Sequence, residues 1–354
     1  MKALIIAREF PVKNRDVLIS SLIPQYFKTY HVTWNKKQRS DIPTENTFVF
    51  TNKIKNLRSL TFLLIIKKYI LFIDEIISEK NPQLLIISHY SLYLPFLILS
   101  KKKGIRVILD VHDLPSFTNI IPFKFVLFIE KLLIKNVSHI ILASKYFKSF
   151  YSNKRTLVID NIPPSKNLTT KSINIAEDAI IKIGFVGKLR YPDLYKLVIE
   201  CVNDFDNLEF HFYGNGSAEE VLLDYSRELK AKNIFFHGVF NKKDLNKIYS
   251  KIDLLWACYP SNNYNVKYAT SNKALESIFF KTPCVFSSGT LLAEDYKNKN
   301  IGFSINSNNK SEIINFLKNI NVVKLNYMKD NIKKEDTPDL DLYKKLFKEF
   351  LENK

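Results

Sequence analysis

The chain has 354 residues, 46% of them hydrophobic, and a formal net charge of +18. The length exceeds what one ordinary core holds and predicts two domains, while the hydrophobic content is that of a globular protein. The three cysteines, Cys201, Cys258 and Cys284, are widely spaced and form no Cys-x-x-Cys pair. This pattern argues against a zinc site or a disulfide framework and fits a reducing cytoplasm.

Most of the positive charge lies in residues 1–160. A field of this sign attracts nucleic acid, anionic lipid or a phosphorylated substrate, and charge alone does not choose among them. The opening MKALIIAREFP is too short for the core of a signal peptide and predicts a first buried strand. The apolar run at 60–77 is interrupted by two lysines and two carboxylates, so it is not expected to span a membrane.

The first half of the chain alternates between strand and helix patterns. Strands are predicted at KALIIA, HVTWN, TFVFT, PQLLIIS, IRVILDVHD and SHIILAS. Helices are predicted at NRDVLISSLIPQYFKTY (14–30), at about 57–80, in the segment that ends near Gly104, and at PFKFVLFIEKLLIKN. Short apolar runs that alternate with helices favour a parallel sheet covered on both faces.

A linker and a second series of the same kind follow. The paired prolines and the Ser/Thr/Asn/Lys cluster within 156–178 are typical of an interdomain segment, and the alternation then restarts at IKIGFVG. The predicted fold is therefore α/β, with two Rossmann-like doubly wound domains that face a cleft. The predicted boundaries are 1–160 for the N-terminal domain, 161–180 for the linker, 181–335 for the C-terminal domain, and 336–354 for a C-terminal helix that could pack back on the N-terminal domain.

The stretch ATSNKALESIFFKTPCVF, residues 269–286, is the first candidate site. Any of the three polar residues 270–272 suits the cap of a helix that starts in the loop after a strand, and the free N–H groups of such a helix end attract an anion. Lys273 adds a cation, and the Glu276 carboxylate can accept hydrogen bonds from both hydroxyls of a ribose. The alternative interpretation is a solvated helix glutamate beside a lysine.

Two glycine-containing loops are the next candidates. In GFVGKLRYPD a strand ends at Gly187, and Lys188 and Arg190 follow. Arg190 can hold phosphate oxygens with two hydrogen bonds and Lys188 acts as a point charge, so the pair could neutralise a diphosphate; an ordinary basic loop is the alternative. In FYGNGSAEE, Gly214 follows a strand, but the third glycine of a dinucleotide fingerprint is missing. A tight turn that lines a ligand cleft is the better interpretation there.

The strand end ILDVHDLPSF in the basic half is the fourth candidate. Asp110, His112 and Asp113 cluster there, and strand ends that face a cleft are where acid and base groups are placed. His112 can titrate near neutral pH, and Asp113 could orient it or act as a base itself. A simple turn cap is the alternative. The cluster lacks the further ligands that a metal site needs, so no metal is expected.

The segments GFVGKLRY, FYGNG, NIFFHGVFNKKDLNKIYSKIDL, SNKALESIFFKTPCV and IGFSI occur in an order that resembles the C-terminal half of bacterial GT-B glycosyltransferases. They are most similar to the family 4-like group that builds capsule, exopolysaccharide or lipopolysaccharide. The resemblance covers roughly 180–305, and DVHDLP, ILASKYF and VIDNIP support it more weakly in the N-terminal half. It implies transfer of a sugar from a nucleoside-diphosphate sugar to a hydroxyl.

The resemblance also implies roles for the candidates of the C-terminal half. The helix that holds the nucleotide in the family falls on Asn272, Lys273 and Glu276, with the glutamate on the ribose. The basic loop falls on Lys188 and Arg190, which would face the diphosphate.

Further roles follow from the same resemblance. Gly187 and Gly214 fall in the donor-binding loops, and Thr290, in the loop SSGTLLAE, would lie near the donor phosphates or sugar. In the N-terminal half, His112 and Asp113 would lie near the reacting sugar and the acceptor, as the catalytic pair.

Two departures from the family pattern are visible. Many relatives carry a glutamate eight residues before the ribose glutamate, where this chain has Tyr268, which removes a usual contact to the donor sugar or phosphate. The glycine-rich acceptor loop of the N-terminal half is replaced by AREFPVKNRD, in which Arg8 or Arg15 could serve instead.

The sequence thus predicts a glycosyltransferase of the hexosyltransferase type, with no cofactor and no metal. Its predicted partners are a nucleotide-sugar donor and a glycan or lipid-linked acceptor of the bacterial surface. No nucleic-acid partner is expected, because no RNP-type motif, zinc knuckle or helix-turn-helix pattern is found. The alternatives are a nucleotide-sugar epimerase of the same fold, or a non-catalytic protein that binds sugar nucleotide or nucleic acid.

The expected location is the cytoplasm, with attachment to the inner face of the bacterial plasma membrane as a further possibility. The segment IIPFKFVLFIEKLLIKN mixes aromatic and aliphatic residues with Lys124, Lys131 and Lys135, and it could rest on anionic lipid. A helix that faces the core is the alternative.

Overall fold

The computed structural model describes residues 1–52, 60–88, 104–114, 134, 137, 139–162, 175–176, 179–261, 264–337 and 339–352. The chain divides into two compact units, one formed by Met1–Ile162 with Asp339–Lys354 and the other by Pro163–Pro338. The predicted helix that ends near Gly104 lies outside the described residues, as do most of PFKFVLFIEKLLIKN and most of the predicted linker 161–180.

The first unit contains a parallel sheet. Its strands are β1 (Lys2–Ile6), β2 (Lys28–Asn35), β3 (Thr47–Thr51), β4 (Leu84–Ile87), β5 (Arg106–Val111), β6 (His139–Leu142) and β7 (Arg155–Val158). The order is β3-β2-β1-β4-β5-β6-β7, and each neighbouring pair runs parallel. This is a doubly wound order whose direction reverses between β1 and β4, the place where such sheets bind ligands.

The helices of the first unit begin with α1 (Asn14–Leu22) and α2 (Leu60–Lys80). The prediction of one helix over 14–30 is wrong, because α1 ends at Leu22 and Lys28 already belongs to β2. Ile23 is extended, with φ −64° and ψ 129°. It precedes Pro24, whose ring disfavours a helical conformation of the residue before it. A short 3₁₀ helix, Lys145–Phe150, follows β6.

The second unit repeats the same winding. Its strands are β8 (Ile181–Val186), β9 (Leu208–Tyr213), β10 (Ile234–Phe236), β11 (Leu254–Ala257), β12 (Cys284–Ser287) and β13 (Gly302–Ile305). The order is β10-β9-β8-β11-β12-β13, again with parallel neighbours, so the reversal lies between β8 and β11. The fold class is confirmed: the chain is α/β and has two Rossmann-like units.

Helices of the second unit connect these strands and follow the last of them. They are α3 (Pro192–Asn203), α4 (Glu219–Glu228), α5 (Leu245–Tyr249), α6 (Tyr264–Tyr268), α7 (Asn272–Phe279), α8 (Leu291–Asn298), α9 (Lys310–Asn319) and α10 (Val322–Ile332). A core of Phe185, Phe210 and Phe212 packs against Tyr195 and Val198 of α3. The three cysteines of the chain lie buried in this unit as free thiols.

The last helix, α11 (Leu340–Glu352), belongs to the first unit. Its Phe347 is fully buried in the core of that unit. The ring of Phe350 packs edge-on against His139, with 4.7 Å between the two ring centroids. The hydroxyl of Tyr343 accepts a hydrogen bond from the Asp160 N–H at 3.1 Å. The chain therefore returns to complete the core that its first residues begin.

A pair of histidines lies on the face of β9 and β10 that points away from the phenylalanine core. His211 Nδ1 and His237 Nε2 are 3.0 Å apart, and His211 Nε2 is 3.0 Å from the Glu209 carboxylate. Burial lowers the pKa of both rings, and His211 also lowers the pKa of His237. Glu209 acts in the opposite direction on His211, but burial prevails. The folded protein therefore favours the neutral imidazoles.

We expect this pair to destabilise the fold as the pH falls below about 6.5, the ordinary pKa of histidine, because the unfolded chain then binds protons more readily than the folded chain. Thermal unfolding between about pH 7.5 and pH 5 measures the effect. His237→Gln removes one titrating ring and should flatten this dependence. Identical pH profiles of the wild type and the variant would contradict the assignment.

Candidate active site

The loops that follow β8 and β9 are joined by backbone hydrogen bonds. The Gly187 N–H donates to the Tyr213 carbonyl at 2.8 Å, and the Leu189 N–H donates to the Asn215 carbonyl at 3.0 Å. Gly214 has a φ of +126°, and a Cβ at this position would lie 1.9 Å from the Gly187 carbonyl oxygen. Glycine is therefore required at 214, and the two loops predicted from the sequence meet at the carboxyl edge of the second sheet.

Gly214→Ala is expected to lower the free energy of unfolding by about 3 kcal/mol or more, because the methyl group meets backbone that has to move and the φ is unfavourable. Gly238→Ala is the matched control, since Gly238 has a φ of +67° but nothing within 4 Å of its added Cβ. The control should cost only about 1 kcal/mol. Urea unfolding measures the stability of both variants. Equal losses of unfolding free energy would show that the close approach of the two loops does not make Gly214 more sensitive to substitution than Gly238.

Helix α7 begins beside the Gly187 loop. Of the three caps that the sequence offers, the structure uses Ser271, whose hydroxyl accepts a hydrogen bond from the Ala274 N–H at 3.2 Å, and Asn272 is the first helical residue. A Cβ on Gly187 would lie 3.6 Å from Cε of Lys273. The first turn of α7 and the Gly187 loop therefore form one continuous site.

Glu276 is buried, with 9% of its surface exposed, so the alternative of a solvated helix glutamate is wrong. Its Oε2 accepts hydrogen bonds from Lys273 Nζ at 2.6 Å and from the Tyr249 hydroxyl at 2.5 Å. Within the described part of the chain, no hydrogen bond reaches Oε1. The carboxylate is thus fixed through one oxygen, and the other remains available to a ligand.

Tyr249 is a site residue that sequence reasoning missed. It lies 27 positions before Glu276, on a different helix. Its ring stacks on that of Phe280, with 4.2 Å between the two ring centroids. Burial, reinforced by the Glu276 carboxylate, holds the pKa of Tyr249 well above its usual value. The hydroxyl therefore stays protonated and keeps donating to the carboxylate. No motif marks this tyrosine, because its role depends on the packing of α5 against α7.

Two cations of the Gly187 loop are directed to solvent. Lys188 and Arg190 are exposed, and neither forms an ion pair with another residue that the structure describes. Leu189 between them is fully buried and anchors the loop. A buried anchor between two exposed cations places both charges on the surface next to α7, where they can bind an anion such as a diphosphate.

Thr290 caps α8, the helix after the next strand. Its hydroxyl accepts a hydrogen bond from the Ala293 N–H at 3.2 Å and donates to the Ser287 carbonyl at 3.0 Å. Together with Ser271, this residue borders a pocket of about 110 Å³. The lining residues are Ala257, Tyr259, Asn265, Val266, Ala269, Ser271, Phe286, Ser287, Thr290 and Leu292.

In the first unit, Asp110 connects two of the predicted residues. Arg15 Nη2 donates to Asp110 Oδ1 at 2.8 Å and Arg15 Nε donates to Oδ2 at 3.2 Å, both groups being buried. His112 Nε2 lies 2.7 Å from Asp110 Oδ2. Burial acts to raise the pKa of Asp110, but Arg15 and His112 outweigh it and hold that pKa far below its usual range. His112 is therefore oriented by an ionised carboxylate.

The remaining residues of this strand end have different environments. Asp113 is half exposed and forms an ion pair with Arg8 at 3.5 Å. Arg15, considered above as a substitute for the acceptor loop, is buried against Asp110 and donates to the Ile159 carbonyl, so it is not placed to receive an acceptor. Of these two arginines, Arg8 is the one with an accessible side chain.

The described residues contain no cluster of three or more His, Cys, Asp or Glu side chains that could hold a metal ion. Within the same residues, no helix has the length and apolar character needed to cross a membrane.

Comparison with known proteins matches residues 181–320 to the family model described as glycosyl transferases group 1. No curated protein sequence matches the chain. Among solved structures, HepE from Anabaena in complex with UDP and glucose aligns with a TM-score of 0.70 and 14% identity over 99% of both chains.

Two further structures have the same architecture. Sucrose-phosphate synthase from Thermosynechococcus elongatus aligns with a TM-score of 0.73 and 11% identity, covering 99% of this chain and 98% of that one. The lipopolysaccharide outer core galactosyltransferase WaaB aligns with a TM-score of 0.70 and 14% identity over 99% of both chains. Residues 181–320 of the second unit thus match glycosyl transferases group 1, and the fold of the chain is that of these solved structures, the GT-B fold.

Proposed function

We propose that this protein is a glycosyltransferase that moves a hexosyl group from a nucleoside-diphosphate sugar to a hydroxyl of a growing glycan. The observation that carries the proposal is the site around Glu276, where a fixed carboxylate with one available oxygen lies beside the loop of Lys188 and Arg190. The site lies inside the region that matches glycosyl transferases group 1. The structure of HepE, which has the same fold, contains UDP and glucose.

Each part of a nucleoside diphosphate has a complementary group in this site. The Glu276 carboxylate accepts hydrogen bonds from the ribose hydroxyls. The first turn of α7 and the Lys273 ammonium attract the phosphates, and Lys188 and Arg190 bind their outer oxygens. As the anomeric carbon leaves the donor phosphate, negative charge grows on the diphosphate, and these positive groups stabilise it. We propose that this charge is neutralised without a metal ion.

The acceptor hydroxyl loses a proton when its oxygen bonds to the anomeric carbon. In an inverting reaction, His112 or Asp113 of the first unit would take that proton. The hydrogen bond to the ionised Asp110 favours a proton on His112 Nε2, which leaves Nδ1 as the basic atom. In a retaining reaction, the departing phosphate oxygen would take the proton instead. We propose His112 and Asp113 as the acceptor-side groups in either case.

A thermal-shift screen with UDP, GDP, dTDP, CMP and NAD tests the donor site. A ligand present at 100 times its dissociation constant should stabilise the protein by about 2.7 kcal/mol. Stabilisation by one nucleoside diphosphate would support the proposal and identify the base. Stabilisation by none of them would reject it. Incubation with the matching sugar nucleotide then separates transfer, which needs an acceptor, from isomerisation of the donor, which does not.

We further propose that the acceptor is a lipid-linked surface glycan, of the kind built by the capsule and lipopolysaccharide enzymes of family 4. The support is the positive charge of the first unit together with the outer face of α2. On that face Leu64 and Leu71 are more than half exposed, and the exposed Lys67 and Lys68 lie between them. A face with apolar and cationic side chains suits the surface of an anionic bilayer on the cytoplasmic side of the membrane.

Vesicle pelleting tests this attachment. We expect the protein to sediment with vesicles that contain anionic lipid at low salt, and to be released as the salt concentration screens the lysines. Lys67→Gln combined with Lys68→Gln should weaken sedimentation, while the same change at Lys242 and Lys243 of the second unit should not. Equal recovery in the supernatant with neutral and anionic vesicles would reject peripheral binding.

A further inference from the structure

The pocket beside Thr290 lies beyond the carboxyl ends of β11 and β12, between α6 and the first turns of α7 and α8. It is contained entirely within the second unit. Its border residue Ser271 caps the helix that carries Lys273 and Glu276. If α7 holds a nucleoside diphosphate as proposed above, this pocket adjoins the phosphate end, to which the donor sugar is attached. The inference below rests on that proposed function.

The serine and threonine hydroxyls around the pocket already have partners within the protein. Thr290 Oγ1 donates to the Ser287 carbonyl at 3.0 Å. Ser287 Oγ donates to the Tyr259 carbonyl at 2.7 Å and accepts from the Tyr259 N–H at 3.0 Å. Ser271 Oγ accepts from the Ala274 N–H at 3.2 Å. These groups serve to cap helices and join strands, so they offer little hydrogen bonding to a ligand.

Apolar groups form most of the rest of the wall, together with Asn265 and Tyr259. Ala257, Val266, Ala269, Phe286 and Leu292 line the pocket, and no carboxylate, lysine or arginine is among its lining residues. Helix α6 borders the pocket and contains no carboxylate either. Its last residue, Tyr268, occupies the position eight residues before Glu276. A sugar hydroxyl placed against the apolar part of this wall would lose water without gaining a partner, whereas a methyl group would lose only its contact with water.

We propose that this pocket holds a methyl group of the donor sugar. Two kinds of donor present one: a 2-acetamido sugar through its acetyl methyl, and a 6-deoxy sugar through its C6 methyl. The enzyme therefore prefers such a donor to the fully hydroxylated sugar attached to the same nucleotide. A single methyl or hydroxyl difference in an apolar pocket discriminates by about 10- to 100-fold.

Dissociation constants for matched donor pairs test the proposal. The pairs are UDP-N-acetylglucosamine with UDP-glucose, GDP-D-rhamnose with GDP-D-mannose, and dTDP-D-fucose with dTDP-D-galactose, each measured beside the free nucleoside diphosphate. The proposal expects the methyl-bearing member of the pair with the preferred base to bind about 10- to 100-fold more tightly. The pair that shows this preference tells the acetamido donor from the 6-deoxy donor.

Two variants locate the effect. Val266→Thr changes a methyl to a hydroxyl at nearly constant shape, and Ala269→Leu fills the pocket. Both should reduce the preference by about tenfold or more, and binding of the free nucleoside diphosphate shows whether each variant is folded.

Three outcomes would overturn the inference and leave the donor site standing, provided that the free nucleoside diphosphate binds. They are equal affinity for both members of each pair, tighter binding of the hydroxylated member, and no binding of any sugar nucleotide. Failure of the free nucleoside diphosphate to bind would instead reject the proposed function.

Discussion

Glu276→Gln is expected to weaken binding of the preferred nucleoside diphosphate by roughly 10- to 100-fold. Hydrogen bonds to a charged group contribute about 1.5–3 kcal/mol, and the glutamine loses the charge that holds Lys273 and that we propose holds the ribose. Oε2 of Glu276 holds Lys273 at 2.6 Å, so the variant also releases the lysine that we propose faces the phosphates. Both losses act on the same ligand.

Isothermal titration with the nucleoside diphosphate measures this effect. Glu228→Gln, an exposed carboxylate on α4 of the same unit, is the matched control and should bind like the wild type. Tyr249→Phe removes one of the two donors that fix Glu276, so it should weaken binding less than Glu276→Gln does. Wild-type affinity in Glu276→Gln would show that the nucleotide does not bind at this carboxylate.

Asp110→Asn is expected to cause the largest loss of stability, about 3–5 kcal/mol. The carboxylate is fully buried and holds Arg15 through both oxygens, and Arg15 itself is 7% exposed. The asparagine leaves the buried guanidinium without the carboxylate that it is paired with, and the loss of one partner of a buried ion pair is costly. Loss of one buried partner therefore removes more stability than the ion pair itself contributes.

The wild type should show the corresponding pH dependence. Because Arg15 and His112 hold the pKa of Asp110 far below its usual range, its contribution is fully present above about pH 4 and declines as the pH falls toward the folded-state value. Asp110→Asn should lack this contribution at every pH. Urea unfolding of the wild type, Asp110→Asn and Glu9→Gln measures the difference.

Glu9 provides the control, because its ion pair with Lys13 at 3.2 Å is partly exposed. Its loss should cost at most about 1 kcal/mol. If Asp110→Asn were no less stable than Glu9→Gln, the buried pair would not anchor this part of the first unit.

The alternation of strands and helices was predictable because each strand is a short apolar run. The runs at 84–87, 139–142 and 254–257 are buried throughout, as strands covered on both faces should be. The prediction of a helix over 14–30 is wrong beyond Leu22. The helical spacing of apolar residues continues past Pro24, but the proline interrupts the helix. Local periodicity carries no information about such a break unless the proline is given more weight than the pattern.

The candidate site was predictable where neighbouring residues form it. Lys273 and Glu276 are three positions apart on one helix, so their ion pair follows from helical geometry. Tyr249 and Arg15 were not predictable in their observed roles, because each acts through a partner far along the chain: Glu276, 27 positions from Tyr249, and Asp110, 95 positions from Arg15. The sequence also does not identify Asp110 as the carboxylate that orients His112. Asp110 and Asp113 lie at the same strand end, and the sequence alone does not show which of them contacts the histidine.

The place of α11 determines the order in which the two units can be completed during synthesis. Every residue of the second unit has been made once Pro338 is added, whereas the core of the first unit still lacks Phe347 and Phe350. Domains generally fold from the N-terminus as they emerge, but here the unit that starts first must wait for the last residues. A released chain that ends at Pro338 should therefore hold a protease-resistant second unit and a first unit that is still open to cleavage.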